Sequence, residues 1–280
     1  MFTLPDHLAL YDDQSPVFYY LHVNSDAKNN SRLHFTKPCI TIGINGIKKL
    51  RTPGGIEEFG PNDLIFYPPG NYLSYQNFDT SEPYQSLMIF FDSHLLFDLL
   101  RQFGDKKKMT SSAGGGDYYF SVKGNSYVAD FGKSVLNLLS REQFFKDSLK
   151  KIKLLELIVY LNDFFGGFIN EETLYIKQHS DHQLKNVIEG SSGKNLTLEE
   201  IAFMCNMSLA TFKRAFFRIY GTSPGKWIRE KKLSWAEEQI RAHNRQPKEI
   251  FNEAGYRDYS SFSYAFKQKF GTSPKQSQAG

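Results

Sequence analysis

Three cationic side chains lie within six residues in the last third of the chain, namely Lys213, Arg214 and Arg218. Phe212 and Phe216, four residues apart, have the spacing of the apolar stripe of a helix that faces a protein core. Such a helix leaves the three cations on its outer surface. Ammonium and guanidinium groups on one face form ion pairs and hydrogen bonds with polyanions. The residue types and their spacing therefore favour polyanion binding over the other chemistries that this chain could perform.

Histidines are the other residues that could do chemistry. His7, His22, His34 and His94 are spread over residues 7–94 without a His-x-His pair or a nearby glutamate that follows one. A catalytic metal needs several convergent ligands and an open coordination position. We therefore expect no metal, no cofactor and no catalytic residues. A metal-dependent enzyme domain joined to the polyanion-binding region is kept as an alternative.

The cationic helix belongs to a duplicated segment. Residues 212–224 read FKRAFFRIYGTSP, and residues 262–274 read FSYAFKQKFGTSP, 50 positions later. Upstream the correspondence continues at a shift of 49, which pairs Asn206 with Gly255. A segment that repeats once is a duplicated supersecondary unit, since a solenoid needs three or more repeats. Each copy predicts a short helix, a turn and a second helix, which is a helix-turn-helix unit.

Both units carry signals for helix starts. Thr197 and Glu200 have the spacing of a capping box at the first helix of the first unit. Ser208 and Asp258 can cap the second helices, and Pro247 suits the first turn of a helix. These signals place the two units over about 197–220 and about 247–270.

An amphipathic helix is expected over about 224–243, between the two units. Trp227, Leu233, Ala236 and Ile240 lie on one of its faces. Its roughly 19 residues span about 28 Å, against about 34 Å between successive major-groove faces of B-DNA. Both second helices can therefore enter adjacent major grooves if the DNA bends.

Charge is divided unevenly along the chain. Residues 181–280 contain 16 Lys and Arg against 10 Asp and Glu, a net charge of +6, whereas the whole chain has +4. The first 180 residues therefore have about −2. A basic module joined to a near-neutral one is typical of a polyanion-binding domain that follows a separate sensing domain.

Residues from about 181 to 274 resemble the DNA-binding domain of the AraC/XylS family of bacterial transcription regulators. The residues that carry this resemblance are Leu233, Ala236, Ile250, Gly255, Tyr256, Phe262, Ala265, Phe266, Phe270, Gly271 and Pro274. Three residues depart from the family pattern, which usually has Gly at 206, Arg at 232 and Ala at 251. Asn206 tolerates a left-handed turn and Lys232 keeps the charge, whereas Phe251 must repack its helix locally.

The resemblance implies that both second helices read base edges. The family's base-reading positions correspond here to Ala210, Lys213, Arg214 and Phe217 in the first unit, and to Tyr259, Ser260, Ser263 and Tyr264 in the second. A guanidinium bonds guanine O6 and N7 together, which discriminates bases by about 1–3 kcal/mol, so Arg214 is the strongest candidate. Candidates for phosphate contacts are Thr211, Arg218, Thr222, Lys267 and Thr272.

The first 180 residues predict β-structure. Apolar blocks at 16–23, 39–44, 63–67 and 86–91 alternate with turn clusters, a pattern typical of a sandwich or barrel. Given the C-terminal resemblance, residues 60–70 resemble the strand-and-turn signature of a cupin-like barrel. The predicted fold class is two-domain α+β. A cupin-like β-barrel followed by two helices precedes an all-α domain with two helix-turn-helix units joined by a connecting helix.

Two apolar stripes predict the helices that follow the barrel. In relatives the corresponding helices often join two subunits, so the candidates for dimer contacts are Val128, Phe131, Val135, Leu138, Leu149 and Ile152. The alternative is that both stripes cover the core of the barrel itself.

The predicted domains are a sensing and dimerisation domain at 1–168, a linker at 169–182 and a DNA-binding domain at 183–280. A cytoplasmic protein is expected, because no signal peptide opens the chain and no apolar run approaches the roughly 20 residues of a membrane span. The resemblance implies a sequence-specific regulator, more specifically an activator. Its implied partners are double-stranded promoter DNA, RNA polymerase and a second copy of the chain.

Two classes of signal are open for the N-terminal domain. A small-molecule effector would lie inside the barrel, where the candidate contacts are Phe18, Tyr20, Phe35, Phe66, Tyr75 and Phe90. A regulatory protein is the other class, because residues 211–213 and 223–228 resemble regulators of secretion systems that respond to a protein. A barrel cavity of roughly several hundred Å³ with convergent polar groups favours the effector, and a packed interior favours the protein.

Overall fold

A computed structural model describes residues 1–8, 11–24, 28–52, 55–77, 83–96, 98, 119–165, 181–191 and 196–278. The chain forms two compact units, Met1–Gln183 and Leu184–Gly280. A lysine run at 106–108 and a glycine run at 114–116 predict a mobile loop, and both lie outside the described residues. Most of the predicted linker lies outside them too, although its last residues, Asp181 and His182, begin a helix.

The first unit contains ten described strands. They are β1 (Phe2–Leu4), β2 (Val17–Asn24), β3 (Lys28–Phe35), β4 (Cys39–Asn45), β5 (Lys48–Thr52), β6 (Gly55–Phe59), β7 (Leu64–Tyr67), β8 (Gly70–Asn77), β9 (Tyr84–Phe91) and β10 (Phe120–Val122). They form two five-stranded sheets, in the orders β1-β3-β8-β5-β6 and β10-β7-β4-β9-β2. The four strands predicted from apolar blocks are confirmed as β2, β4, β7 and β9. Aromatic contacts join the two sheets, which confirms a β-rich first unit, while the cupin-like barrel stays a prediction.

Two helices follow the strands, as the sequence predicts. They are α1 (Ser126–Leu139) and α2 (Asp147–Phe165), with a short 3-10 helix at Glu142–Phe144 between them. Val128 and Phe131 of α1 and Leu157 of α2 pack in one core with Ile40 and Ile42 of β4. Because β4 is covered by the helices on one face and by the other sheet on the opposite face, it is apolar almost throughout.

A turn at the start of β7 brings four segments together. Gly43 of β4 accepts a hydrogen bond from the Asn62 amide at 2.7 Å and donates one to the Asp63 carbonyl at 2.9 Å. A Cβ atom at Gly43 would lie 2.3 Å from the Gly60 carbonyl oxygen, so only glycine allows this approach. The Asp63 carboxylate also accepts bonds from the amides of Gly60 and Gly124, each at 2.9 Å. The turn therefore connects β4 and β6 with the segment that leads into α1.

We predict that Asp63→Asn destabilises the first unit by about 1–3 kcal/mol, because one buried carboxylate holds several charge-assisted hydrogen bonds. Burial by itself raises the pKa of Asp63, but the Lys123 ammonium at 2.9 Å and the two backbone amides outweigh it and lower the pKa below its usual range. A carboxyl with a lowered pKa in the folded state stabilises fully above its unfolded pKa of about 4, and this contribution is lost as the pH falls through the folded value.

Hydrogen exchange of peptides that contain Gly60 and Gly124, measured at pH 7 and at pH 3, checks this prediction. The Asn variant should exchange faster at pH 7 and depend less on acid than the wild type. Asp130→Asn is the control, since Asp130 is exposed and, among the described residues, pairs with the exposed Lys133 at 3.5 Å. Equal exchange in the Asp63 and Asp130 variants would show that the carboxylate is not needed.

Helices are the only regular elements among the described residues of the second unit. Its helices are α3 (Asp181–Gly190), α4 (Leu198–Met204), α5 (Leu209–Tyr220), α6 (Pro224–Arg241), α7 (Pro247–Ile250), α8 (Tyr259–Phe270) and α9 (Pro274–Gln278). The boundary between the two compact units falls inside α3. The predicted connecting helix corresponds to α6, which ends two residues before the expected position. Leu233, Ala236 and Ile240 form its buried stripe.

Candidate DNA-binding surface

The first helix-turn-helix unit begins at the predicted capping box. The Thr197 hydroxyl accepts a hydrogen bond from the Glu200 amide at 3.1 Å, and the Glu200 carboxylate accepts one from the Thr197 amide at 2.8 Å. Asn206 follows α4 with a φ of 55°, in the left-handed region that Asn tolerates. Ser208 then caps α5 by accepting a bond from the Thr211 amide at 3.2 Å. These local signals fix the direction in which α5 leaves the turn.

Helix α5 separates a buried face from an exposed one. Phe212 and Phe216 are buried, and the Phe216 ring meets the Trp227 ring of α6 edge-on at 5.7 Å. The opposite face carries all four predicted base-reading residues of this unit as exposed side chains, namely Ala210, Lys213, Arg214 and Phe217. Phe217 is 61% exposed. An exposed ring beside two cations is suited to contacts with base edges and thymine methyl groups.

The turn of the second unit depends on a glycine. Gly255 has a φ of 80°, a conformation that favours glycine. A Cβ atom at this position would lie 2.5 Å from Nζ of Lys232 in α6. Asp258 then caps α8 by accepting a bond from the Ser261 amide at 2.7 Å, and this bond together with one from the Ser261 hydroxyl lowers the pKa of Asp258. The capping residue predicted from the sequence is confirmed.

Helix α8 exposes only part of its predicted reading face. Ser260 and Tyr264 are exposed, the latter by 70%, whereas Tyr259 and Ser263 are partly buried. Tyr259 packs edge-on against Phe251 at 6.2 Å, which is how the unit accommodates a large residue where the family usually has Ala. Tyr259 therefore has a packing role that the other three do not share.

The predicted phosphate contacts lie at equivalent places in the two units. Thr222 follows Gly221, which ends α5 with a φ of 66°, and Thr272 follows Gly271, which ends α8 with a φ of 76°. Each threonine thus stands just before the next helix, α6 or α9. Thr211 accepts a bond from the Ser208 hydroxyl at 2.9 Å and so is already engaged in capping. The remaining two candidates, Arg218 and Lys267, are exposed.

One residue that holds this surface in place was not foreseen from the sequence. Lys269 of α8 donates hydrogen bonds to the Glu230 carbonyl and, at 2.7 Å, to the Ser234 hydroxyl of α6. Partial burial lowers the pKa of Lys269. The corresponding residue of the first unit is Ile219, so a cation replaces an apolar residue at the same place in the repeat. This difference between the two repeats could have predicted a polar contact between α8 and the connecting helix.

The predicted effector contacts do not form one cluster. Phe35 and Phe90 lie between the two sheets with ring centroids 6.0 Å apart, and Phe18 meets Phe90 at 6.3 Å and Tyr20 at 6.1 Å. Phe66 points to the opposite face of β7 and belongs to the core beneath the helices, because alternate residues of a strand face opposite sides. Tyr75 lies in β8, but its side chain is outside the described residues.

The predicted dimer contacts divide in a similar way. Val128, Phe131 and Val135 are fully covered in the core between α1 and the second sheet, which corrects the expectation that they face another subunit. Leu138 and Leu149 are partly buried against the same core. The sixth candidate, Ile152 of α2, is 59% exposed.

The described part of the chain has neither a metal-binding cluster nor a membrane-spanning helix. No group of three or more His, Cys, Asp or Glu side chains there is placed to hold a metal ion. His7 accepts a bond from the Thr3 amide, and His34 bonds to Asn71 at 2.7 Å. Within the same residues, no helix combines the length and the apolar character needed to cross a membrane.

Two capped helix-turn-helix units in tandem, each with an exposed second helix, define a DNA-binding regulator preceded by a β-rich domain. A family profile described as a helix-turn-helix domain matches residues 198–279, and a profile described as the ExsA N-terminal regulatory domain matches residues 38–166. With both domains matched in this order, the chain belongs to the AraC/XylS family of transcription regulators.

Several curated proteins are similar to this chain. Thermoregulatory protein LcrF of Yersinia pestis is 24% identical over 246 residues, which are 85% of this chain and 87% of that protein. The virulence regulon transcriptional activator VirF of Yersinia enterocolitica is 24% identical over 230 residues, 79% of this chain and 81% of that protein. The HTH-type transcriptional regulator ExsA of Pseudomonas aeruginosa is 34% identical over 74 residues, 26% of this chain and 27% of that protein.

Among solved structures, ToxT from Vibrio cholerae O395 aligns with 94% of this chain and 97% of its own. The sequence identity is 14% and the TM-score is 0.39. A TM-score this low carries no information about the functional site.

Proposed function

We propose that the protein is a homodimeric transcription activator that binds promoter DNA with both helix-turn-helix units and is controlled through its N-terminal unit. The observation that carries this proposal is the shared construction of α5 and α8. Each is capped by a side chain, buries a pair of phenylalanines and turns polar or aromatic side chains outward. The VirF relatives are described as transcriptional activators, which supports activation here. A promoter-bound activator acts in the cytoplasm with RNA polymerase as its partner and needs no catalytic step.

The length of α6 supports binding of both units to one stretch of DNA. Its 18 residues span about 27 Å, less than the roughly 34 Å between successive major-groove faces. Insertion of α5 and α8 into adjacent grooves therefore requires the DNA to bend. The binding affinity then also depends on how easily the base pairs between the two contacts deform.

The two units contribute differently to sequence selection. Helix α5 exposes Arg214 and Lys213, two side-chain types that bond to guanine O6 and N7. Helix α8 exposes Ser260 and Tyr264, which do not form that bidentate contact. We assign most of the base discrimination to the first unit. The second unit adds phosphate contacts and van der Waals contacts with thymine methyl groups.

An exposed apolar group supports homodimerisation through the helices of the first unit. Ile152 of α2 and Phe144 of the preceding 3-10 helix are 59% and 61% exposed. A contiguous exposed apolar patch marks a contact with another subunit, so the proposal requires these two side chains to lie together on the outer surface. The dimer contact is therefore assigned to this outer surface.

Control of the N-terminal unit is assigned to a small-molecule effector, with a regulatory protein as the second candidate. The matched profile is described as a regulatory domain, which supports a role in control. Buried polar side chains, among them Lys48 and Ser74, lie on the strands that carry the aromatic rings between the sheets, and small-ligand sites combine these two kinds of group. For the second candidate, a regulatory protein would dock on Ile152 and Phe144 in place of a second copy of the chain.

A selection from genomic DNA tests the proposed function. The purified full chain is mixed with fragments of the source genome at near-physiological salt, and the retained fragments are sequenced. We expect one motif with two elements about 10–10.5 base pairs apart, as two helices in adjacent grooves require. Light scattering of the same sample should give about twice the chain mass of 32.2 kDa.

Retention of all fragments alike, with a steep salt dependence, would instead identify a nonspecific polyanion binder. Lys133→Ala is the control variant, because it removes one exposed cation from the first unit and leaves the DNA-binding unit unchanged. It should retain the same fragments as the wild type.

A further inference from the structure

One edge of the second sheet is formed by a long, uncharged strand. In the order β10-β7-β4-β9-β2, strand β2 pairs with β9 and ends the described sheet on its other side. Its eight residues, VFYYLHVN, include no Lys, Arg, Asp, Glu or Pro. Burial, together with the nearby charge of Lys48, lowers the pKa of His22 to about 4, so its imidazole is neutral at pH 7. The edge is therefore apolar and without charge.

The other described edge strands of the first unit are protected from pairing. A free sheet edge is a template for pairing with another chain, and proteins blunt it by keeping the strand short or by placing charges on it. Strands β1 and β10 have three residues each, and β6 carries Glu57 and Glu58. Strand β2 has neither form of protection. Among the described edges it is the one suited to strand pairing.

The main chain of β2 shows which residues face this edge. Continuing the register of β2 with β9, Pro16 lies opposite Asp92, whose amide donates a hydrogen bond to the Pro16 carbonyl at 3.0 Å. Since hydrogen-bonded pairs alternate along an antiparallel ladder, the even-numbered residues of β2 bond to β9 and the odd-numbered ones point away from it. Leu21 and Val23 therefore turn their amides and carbonyls outward, and no described residue bonds to them there.

Only the second half of β2 is open to a partner. Tyr19 is buried against Phe145, with ring centroids 4.9 Å apart, and its hydroxyl donates a hydrogen bond to the Lys150 carbonyl at 3.0 Å. Leu21 and Val23 follow on the same face of the strand and are 39% and 52% exposed. Exposed apolar side chains and outward main-chain groups thus occur at the same two residues.

The position of this edge favours a second copy of the chain as the partner. Leu21 lines a groove together with Ser140, and Ser140 lines a neighbouring hollow together with Phe144. Phe144 belongs to the surface to which the dimer contact is assigned, so that surface and the edge lie on the same side of the first unit. A two-fold axis brings identical residues together, and an uncharged strand meets its own copy without repulsion between like charges.

We propose that β2 pairs antiparallel with β2 of a second copy, so that the second sheets of two chains form one continuous sheet. This inference rests on the proposed function, because it names the strand through which the proposed homodimer forms. Pairing of the exposed residues places Leu21 of each copy opposite Val23 of the other, and each such pair exchanges both main-chain hydrogen bonds. The two His22 residues then face each other at the axis, with Cα atoms about 4.5 Å apart.

Sedimentation of the full chain tests the pairing with a charge at the edge. The wild type should have about twice the chain mass of 32.2 kDa, and Val23→Lys should have the mass of one chain at the same concentration. A lysine at this position is the protection that natural edge strands carry. Ile56→Lys is the matched control, because Ile56 is 51% exposed on β6, an edge strand of the other sheet. It should remain dimeric.

A disulfide cross-link tests the register without adding a charge. His22→Cys should give a covalent dimer under mild oxidation, because a Cα separation of about 4.5 Å is within the range that disulfides span. Cys39 and Cys205 are buried and should not compete. Ile56→Cys measures how fast an exposed thiol on another edge links by chance. It should stay monomeric on a non-reducing gel.

The outcomes separate this inference from the proposed function. A dimeric Val23→Lys, or a His22→Cys chain that links no faster than Ile56→Cys, overturns strand pairing and leaves the homodimer in place. A monomeric wild type overturns the homodimer as well. Val23→Lys should still bind the promoter motif, because the reading helices belong to the second unit. If Val23→Lys no longer unfolds cooperatively, the cross-linking result decides.

Discussion

Arg214→Ala is expected to remove discrimination at one base pair of the promoter motif and to weaken binding to that motif about 10-fold to 100-fold. Arg214 is exposed on α5 and contacts no other described residue through an ion pair or hydrogen bond, so the substitution leaves the fold unchanged. The lost energy is that of a bidentate contact with guanine O6 and N7. Fluorescence anisotropy with the motif and each of its single-base variants measures the effect.

Lys267→Ala is the matched comparison for Arg214→Ala. Lys267 is exposed on α8 and is assigned to phosphate, so its loss should weaken all sequences alike and reduce the salt dependence by about one counterion. The two variants therefore differ in selectivity and not only in affinity. If Arg214→Ala weakened all sequences equally, Arg214 would be a phosphate contact and the base-reading role would pass to another residue of α5.

Phe266→Ala is expected to destabilise the second helix-turn-helix unit by about 3–5 kcal/mol. Phe266 is fully buried in a cluster that contains Leu233, Ile240 and Ile250, and removal of its ring leaves a cavity there. The chain contains two tryptophans, Trp227 and Trp235, and both belong to α6. Urea unfolding followed by tryptophan fluorescence therefore reports on the DNA-binding unit alone.

Tyr264→Ala provides the control for this core substitution. It removes an aromatic ring of similar size from the same helix, two residues away, but from a side chain that is 70% exposed. Its unfolding midpoint should match that of the wild type, while its affinity for the motif falls. Equal midpoints for Phe266→Ala and the wild type would contradict the burial of Phe266.

The helix-turn-helix units were predictable because their determinants are local. Three helix starts have side-chain caps, formed by Thr197 with Glu200, by Ser208 and by Asp258. Each cap lies within three residues of the amide that it binds, so the spacing in the sequence predicts these three helix starts. The phenylalanine stripes of α5 and α8 need only helical periodicity. Arg214 could be assigned to the outer face for the same reason, since it lies between two buried positions that the repeat identifies.

The assignments that failed depend on contacts between distant segments. Phe66 and Tyr67 are adjacent and aromatic, yet one faces the helices and the other faces the first sheet. Nothing in the local sequence shows which face of β7 is covered by which layer. Val128 and Ile152 likewise belong to similar apolar stripes, but only the docking of α1 and α2 on the sheet decides which of them stays exposed.

The core of the second helix-turn-helix unit draws its buried residues from positions 233 to 266 and includes none from the first unit. Each unit therefore has its own cooperative block, and α6 is shared between them. Blocks of this kind open separately and at different rates, since local unfolding follows the boundaries of packed elements. The second reading helix can then lose its packing while the first keeps its own, so amide exchange of the two reading helices need not coincide.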